Sequence, residues 1–321
     1  MSSIMVTGGT GSFGNAFVRR ALAGQEWGRI VIFSRDELKQ SEMRKAIPDP
    51  DVRLRFMVGD VRDQPRLRAA MRGVDVVIHA AALKQVDTAE YNPEEFVKTN
   101  VMGAMNIVDV ARDNGVKKVL ALSTDKACAP LNLYGATKLS AEKLFVSANA
   151  SAPETMFSCV RYGNVTGSRG SVVPLWREVA KTGAPLGITD NRMTRFWMTL
   201  DGAVQFVLDC LDVMTGGQVF VPALDSYHIT DLAHAVAPDA ALMTIGIRPG
   251  EKLHESMISE DEALWAWKWA KGWAMIPEPT VDLAVKPPPG AVRVERGFSY
   301  TSETAPKLDA DELMKRLKDV K

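Results

Sequence analysis

The feature that most constrains the fold is a short strand, a glycine loop and a helix in immediate succession. Ser3-Ile4-Met5-Val6-Thr7 reads as a strand and runs directly into Gly8-Gly9-Thr10-Gly11-Ser12-Phe13-Gly14. An amphipathic helix then starts near Asn15, with Ala16, Phe17, Ala21 and Leu22 apolar. A bare glycine pattern says little, but strand before and helix after turn it into a nucleotide site. The glycines permit the turn and let the backbone approach a pyrophosphate. Free N–H groups and the helix dipole then favour the anion.

More strands follow at βαβ spacing: Arg29 to Phe33, Leu54 to Val58, Asp75 to His79, Val119 to Leu122 and Met156 to Val160. Their apolar runs suit strands buried on both faces. The expectation is an α/β chain: a Rossmann-like doubly wound parallel sheet with its ligand at the carboxyl edge. After residue 165 the rhythm loosens, which suggests a smaller, mixed C-terminal substrate domain. Residues 1–165 are expected to hold the cofactor, with 196–228 returning to that unit and 166–321 mainly binding substrate. A helix is expected from about Pro93 to Asn114, where Asn100 reads as a mid-helix misfit with a local hydrogen bond. The run Leu264 to Trp273 carries four tryptophans and reads as a packing or subunit surface.

Strand ends supply the candidate cofactor contacts. Ser34-Arg35-Asp36, with Lys39 nearby, favours NADP, because an Arg there accommodates a 2′-phosphate. Asp36 reads as the N-cap of the next helix. Asp60, beside Val61, could accept from an adenine amino group or cap a turn. Ala80-Ala81-Ala82 let a cofactor lie against backbone, and Lys84 could reach the active site or be a loop charge.

The fifth strand delivers Ser123-Thr124-Asp125-Lys126, followed by Tyr134 and Lys138. Spaced by four, the last two share a helix face. An ammonium near a phenol favours the phenolate, a base suited to an alcohol hydroxyl.

Composition narrows the partners. Lys+Arg and Asp+Glu are balanced at 39 each, which gives no charge-based reason to expect nucleic acid or an anionic membrane. No apolar run approaches the roughly 20 residues of a membrane helix, and no secretory signal is read at the N-terminus. Three cysteines without metal-like spacing and four scattered histidines suggest a cytoplasmic protein without a metal.

Taken together, these blocks resemble the extended short-chain dehydrogenase/reductases over essentially the whole chain. More narrowly, the chain is similar to the inverting UDP-N-acetylglucosamine 4,6-dehydratases of pseudaminic acid biosynthesis. The matching blocks are Phe33 to Gln40, Ala82 to Val86, Ser123 to Ala127, Asn132 to Lys138, Arg161 to Val165, Thr194 to Phe196 and Arg248 to Glu255.

The resemblance implies recycled NADP, UDP-N-acetylglucosamine as substrate and a homo-oligomer. It implies that Tyr134, assisted by Lys138, takes the O4 proton while hydride leaves C4. Lys126, kept partly neutral, would remove the C5 proton, and a protonated Asp125 would serve the departing C6 hydroxyl. Thr124 and Ser123 would donate to O4. Asn100 becomes a support for the Lys138 network, and Lys84 an active-site or cofactor contact. Tyr162, Asn164 and Val165 would meet the cofactor. Arg195 and Arg248 suit the diphosphate, with Thr194, Asn164 and Arg169 near the sugar or diphosphate. Glu251 and His254 remain possible uracil-ribose or structural contacts. A UDP-sugar 4-epimerase is the rival enzyme, but it has no need of Asp125-Lys126. A non-catalytic NADP-binding scaffold is the other rival.

Overall fold

The computed structural model describes residues 2–151, 154–167, 171–276 and 285–318. The first six strands are β1 (Ser2–Thr7), β2 (Trp27–Ser34), β3 (Leu54–Val58), β4 (Val76–His79), β5 (Lys118–Thr124) and β6 (Met156–Tyr162). They lie in the order β6-β5-β4-β1-β2-β3, all parallel. The pleat sorts their side chains into two cores. Ile4, Val6, Ile30, Ile32 and Ile78 meet Phe17 and Val18 of helix α1 (Ser12–Ala23) and Val204 of the Leu200–Val213 helix. Met5, Val31, Phe33 and Val77 face Leu67, Ile107 and Phe145 on the other side. Each such side chain, fully buried, contributes about 1.5–3 kcal/mol.

Beyond β6 the Val219–Pro222 strand adds a further parallel member, and the tryptophan-rich run completes the sheet. Ala266–Trp269 and Gly272–Met275 form an antiparallel hairpin whose second strand pairs with Val219–Pro222. With Val292–Arg293 at the edge, the sheet has ten strands among the described residues. Trp269 packs on Phe206 and Phe220, whereas Trp273 packs on Phe298 and Tyr300. Trp269 and Trp273 therefore pack inside the fold, on opposite faces of the strand pair, while Trp265 and Trp267 stay partly exposed.

The remaining C-terminal elements are short. Thr194–Phe196 pairs with Ser226–His228, and Ser256–Ile258 with Tyr300–Thr301. A separate small core gathers Trp176, Leu186, Trp197, Leu232 and Leu313. The expected helix from Pro93 to Asn114 is continuous, but Val97–Met102 within it is π-helical. Among the described residues no helix is long and apolar enough to cross a membrane, and no group of three or more His, Cys, Asp or Glu could hold a metal ion.

Candidate active site

One cleft of about 770 Å³ runs along the carboxyl edge of the sheet. At its first end the β1 loop passes against the residues after β4. Gly8 adopts φ +65°, and a Cβ there would come within 2.9 Å of the Ala80 carbonyl oxygen and the Ala81 backbone. Thr7 ties the two segments: its hydroxyl lies 2.8 Å from His79 Nδ1 and accepts from the Ala81 N–H at 3.3 Å. Gly11 caps α1 without a side-chain bond, and the positive end of the helix dipole it begins faces the cleft. Thr10, Ser12, Phe13 and Gly14 line the same end. A cradle that only glycine fits, ending at an uncapped helix start, suits a dinucleotide pyrophosphate.

The tip of β2 lies beside this cradle. Asp36 accepts from the Lys39 N–H at 3.0 Å as an N-cap, and Lys39 Nζ sits 2.7 Å from Asp36 Oδ2. Arg35 is half exposed, with Nη1 3.6 Å from Asp60 Oδ2. Asp60 also accepts from Arg62 Nη2 at 2.8 Å. Burial pushes the Asp60 carboxyl up, but Arg62 outweighs it and holds the pKa below the ordinary value.

The reacting groups gather at the ends of β5 and β6, which the register places level: Ser123 opposite Arg161 and Thr124 opposite Tyr162. Asp125 and Lys126 follow in one 3₁₀ turn, and Tyr134 and Lys138 are on the Leu133–Ala148 helix. Gly135 makes the two compatible, because a Cβ there would collide with the Lys126 carbonyl oxygen. Lys126 Nζ donates to Asp125 Oδ1 at 3.1 Å, Glu255 Oε1 at 3.2 Å and Asn164 Oδ1 at 3.5 Å. Thr124 Oγ1 donates to Asp125 Oδ1 at 2.9 Å. Asp125 Oδ2 and Glu255 Oε2 are buried without a hydrogen-bond partner.

The electrostatics follow from that arrangement. Burial drives the Asp125 carboxyl up; Lys126 opposes this, Glu255 adds to it, and the net shift is upward. Glu255 is also raised by burial, but Lys126 and Arg195 bring it below its ordinary value. Burial alone would lower Lys126, yet the two carboxylates prevail and raise it. Burial raises the Tyr134 phenol, with Lys126 and a hydrogen bond with Thr124 pulling against it.

Behind this cluster lies a second one. The buried Arg161 donates to Glu142 at 3.1 and 2.6 Å, to Glu262 at 3.0 and 2.9 Å and to the Met257 carbonyl at 2.9 Å. It joins β6, the Tyr134 helix and the C-terminal elements directly beneath the reacting residues.

The sequence pattern of the family described as "Polysaccharide biosynthesis protein" matches residues 4–275. The chain belongs to that family. A UDP-N-acetylglucosamine 4,6-dehydratase (inverting) of Campylobacter jejuni is 50% identical over 315 residues, spanning 95% of this chain and 93% of its own length. A UDP-glucose 4-epimerase of Rickettsia akari is 42% identical, with 98% of this chain and 95% of that one covered. The solved structure of Pen from Bacillus thuringiensis superposes with a TM-score of 0.91 at 34% identity, covering 99% of this chain and 97% of that chain.

Within this family member, several residues expected at the cleft have other partners. Lys138 Nζ donates to the Leu122 carbonyl at 2.6 Å, and the cation acting on the Tyr134 phenol is Lys126. The expectation of a partly neutral Lys126 is likewise corrected, since two carboxylates hold it as an ammonium. Ser123 lines the cleft but gives its hydroxyl to Glu142, away from O4 chemistry. Asn100 binds Leu83 through both backbone groups, at 2.9 and 3.0 Å, and Thr137 at 3.1 Å. It thus supports the loop that ends in Lys84 rather than bonding to Lys138.

Arg195 spends its guanidinium on the Thr194 and Leu253 carbonyls at 2.7 and 3.2 Å, with Nε 3.6 Å from Glu255. Thr194 is fully buried, bonded to His254 and Ser302, and does not line the cleft. Its place near the sugar is corrected. His254 is thereby a structural contact. Arg248 is exposed at the rim, and Glu251 accepts from its N–H at 3.2 Å to close a turn. Ser34 accepts from Gln40 at 3.0 Å. Val61, Ala82, Tyr162 and Val165 line the cleft, as does Lys84, whose ammonium is pushed down by partial burial. Arg169 lies outside the described residues.

Sequence reasoning missed Glu255, Glu142 and Glu262 as partners. Glu255 stands at the end of a block it did single out, but 129 residues separate it from Lys126. No local spacing connects them.

Proposed function

We propose that this chain is a UDP-N-acetylglucosamine 4,6-dehydratase that inverts C5, giving UDP-2-acetamido-2,6-dideoxy-β-L-arabino-hex-4-ulose. The observation that carries this reading is the adjacent pair Asp125 and Lys126 at the cleft, facing Tyr134 and backed by Glu255. A 4-epimerase needs only the tyrosine end. The name of the Campylobacter relative favours the dehydratase over the epimerase name of the Rickettsia relative, which is less similar.

The cofactor is a nicotinamide dinucleotide, held by the Gly8 to Gly14 cradle; when bound, it supplies hydride acceptance at C4 and hydride return at C6. NADP is the form that Arg35 and Lys39 favour at the tip of β2. Tyr134 takes the O4 proton, and Thr124 supports the developing charge. The Lys126 ammonium first gives a proton to Asp125 across their 3.1 Å contact, and the C5 proton, acidified by the 4-ketone, passes to the freed amine. Asp125, whose upward shift eases its acceptance of the Lys126 proton, then gives it to the departing C6 oxygen, so that water leaves. Return of a proton to the opposite face of C5 sets the inverted configuration.

The UDP end is assigned to residues 166–321, with Arg248 at the rim and Asn164 nearer the sugar; residues 1–165 hold the cofactor. We place the enzyme in the cytoplasm, in pseudaminic acid biosynthesis, as a homo-oligomer. The exposed Val97, Met102 and Met105 offer apolar surface for a second copy. The test is incubation with UDP-N-acetylglucosamine in deuterated water, followed by NMR. A 4-keto-6-deoxy sugar with inverted C5 is expected. A UDP-N-acetylgalactosamine product would identify an epimerase, and no turnover a scaffold.

A further inference from the structure

We infer that Glu255 is a positioning residue for the second half of this reaction: together with Asp125 it holds the Lys126 amine in the cleft and governs its release as the base at C5. The inference rests on the dehydratase reading and deepens it, because the resemblance assigns Glu255 no role.

Three observations carry it. First, the contact is direct and nearly symmetrical, with Lys126 Nζ 3.1 Å from Asp125 Oδ1 and 3.2 Å from Glu255 Oε1. Second, Glu255 is itself fixed. Its N–H donates to Ser302 Oγ at 2.9 Å, its side chain is only 4% exposed, and Arg195 Nε lies 3.6 Å from Oε1. Arg195 is in turn pinned by two backbone carbonyls. Third, Glu255 lines the cleft, and its Oε2 is buried without a hydrogen-bond partner. A carboxylate of purely structural purpose satisfies both oxygens, as Glu142 and Glu262 do with Arg161.

The charges around Lys126 come from every side. Asp125 precedes it, Glu255 and Arg195 approach from the C-terminal elements, and Tyr134 faces it from its helix. Tyr227 and Lys252 add to the same field around Glu255 and Lys126. The two carboxylates favour the ammonium, whereas Arg195 opposes it.

The chemistry balances with Glu255 as a spectator in protons. Once its ammonium has passed a proton to Asp125, 3.1 Å away, the Lys126 amine takes the C5 proton and becomes the ammonium again, and the C5 electron pair forms the enolate. The C6–O bond then breaks, with the proton from Asp125 leaving in water. Glu255 stays anionic throughout. Its effect is on the fraction of Lys126 available as amine and on where that amine sits.

The experiment measures the initial rate of deuterium incorporation at C5 against pH, using the full chain, its bound cofactor and UDP-N-acetylglucosamine in deuterated buffer. In the wild type the rate should still be rising at the alkaline end of the range in which the protein stays folded, because two carboxylates hold Lys126 as its ammonium. Glu255→Gln should move this rising limb to lower pH by about one unit or more, and Glu255→Asp should restore it towards the wild-type position. Arg195→Met should move the limb the other way, and it carries the test if Glu255→Gln does not fold. A limb that stays in place in Glu255→Gln, with rates merely lower at every pH, overturns the inference while leaving the dehydratase reading intact. A wild type that makes no 4-keto sugar overturns both.

Discussion

Two cations, each held between two carboxylates, stand at the ends of neighbouring strands. Arg161 has Glu142 and Glu262; Lys126 has Asp125 and Glu255. The charge count is the same, but the satisfaction is not. Arg161 uses its planar fork on both partners and a carbonyl, leaving no oxygen of either carboxylate idle. Lys126 presents one rotatable head to three longer contacts, and a buried oxygen remains unpartnered on each carboxylate. One cluster is closed and joins the halves of the fold. The other is left open to the cleft, so its groups can exchange protons with a bound sugar.

The largest expected effect is therefore on the open cluster's chemistry. Lys126→Met should lower turnover by about a thousandfold or more, in line with loss of a positioned base, while cofactor binding is retained. Its melting temperature should fall less than that of an Arg161 variant, since Asp125 can take up a proton and Arg195 still faces Glu255 when the cation is removed. The measurement is product formation set beside cofactor content and thermal unfolding. Retained dehydration would remove Lys126 from the role of base.

For Arg161→Met the pattern should reverse. Removing one partner strands the buried Glu142 and the partly buried Glu262, which costs about 3–5 kcal/mol. Denaturant unfolding should show that loss, and turnover per folded molecule should survive far better than in Lys126→Met. A sharper version replaces Arg161, Glu142 and Glu262 together by apolar residues of similar volume. Most of the stability should return, because buried ionic groups replaced as a set are often neutral. The same triple change made around Lys126 should leave a folded, inactive protein. If the Arg161 variant is fully stable, the closed cluster is not the structural joint described.

How much of this was legible in the sequence depends on range. Strand, loop and helix at residues 3–23 are local and were read correctly; the four-residue spacing of Tyr134 and Lys138 is local too and does put both on one helix, but not the Lys138 ammonium on the phenol. The parallel sheet followed from apolar runs at βαβ spacing. The tryptophan hairpin was legible only as a packing surface, because its strand partner, Val219–Pro222, lies about 50 residues upstream. The two clusters were hidden for the same reason. Arg161 reaches Glu262 across 101 residues, and periodicity carries no information at that distance. Asp125-Lys126 pointed to chemistry, but the neighbour that holds Lys126 as an ammonium could be seen only once the chain was folded. Arg195 and Thr194 show the converse. Their residue types suit phosphate and sugar, yet Thr194 turns inward to bond His254 and Ser302, and Arg195, though it lines the cleft, spends donors on the Thr194 and Leu253 carbonyls.

The smallest effects concern acid stability, and here the clusters should have opposite signs. Burial raises the Glu262 carboxyl, but Arg161 outweighs it and holds the folded pKa below the ordinary 4.5. A depressed acid contributes stability above its unfolded pKa and loses it as pH falls through the folded value. Asp125 is the reverse: burial raises its folded pKa above 3.8. Between 3.8 and that raised value the folded state binds the proton more tightly, so falling pH adds stability, and at neutral pH the ionised group is a cost. Glu262→Gln should therefore flatten the acid decline relative to wild type. Asp125→Asn should be more stable than wild type at neutral pH, by an amount that shrinks as the solution is acidified. Both are read from unfolding midpoints across pH 3 to 8. An Asp125→Asn protein that is less stable than wild type at pH 7 would mean that the open cluster, like the closed one, is built for stability. The contrast between them would then fail.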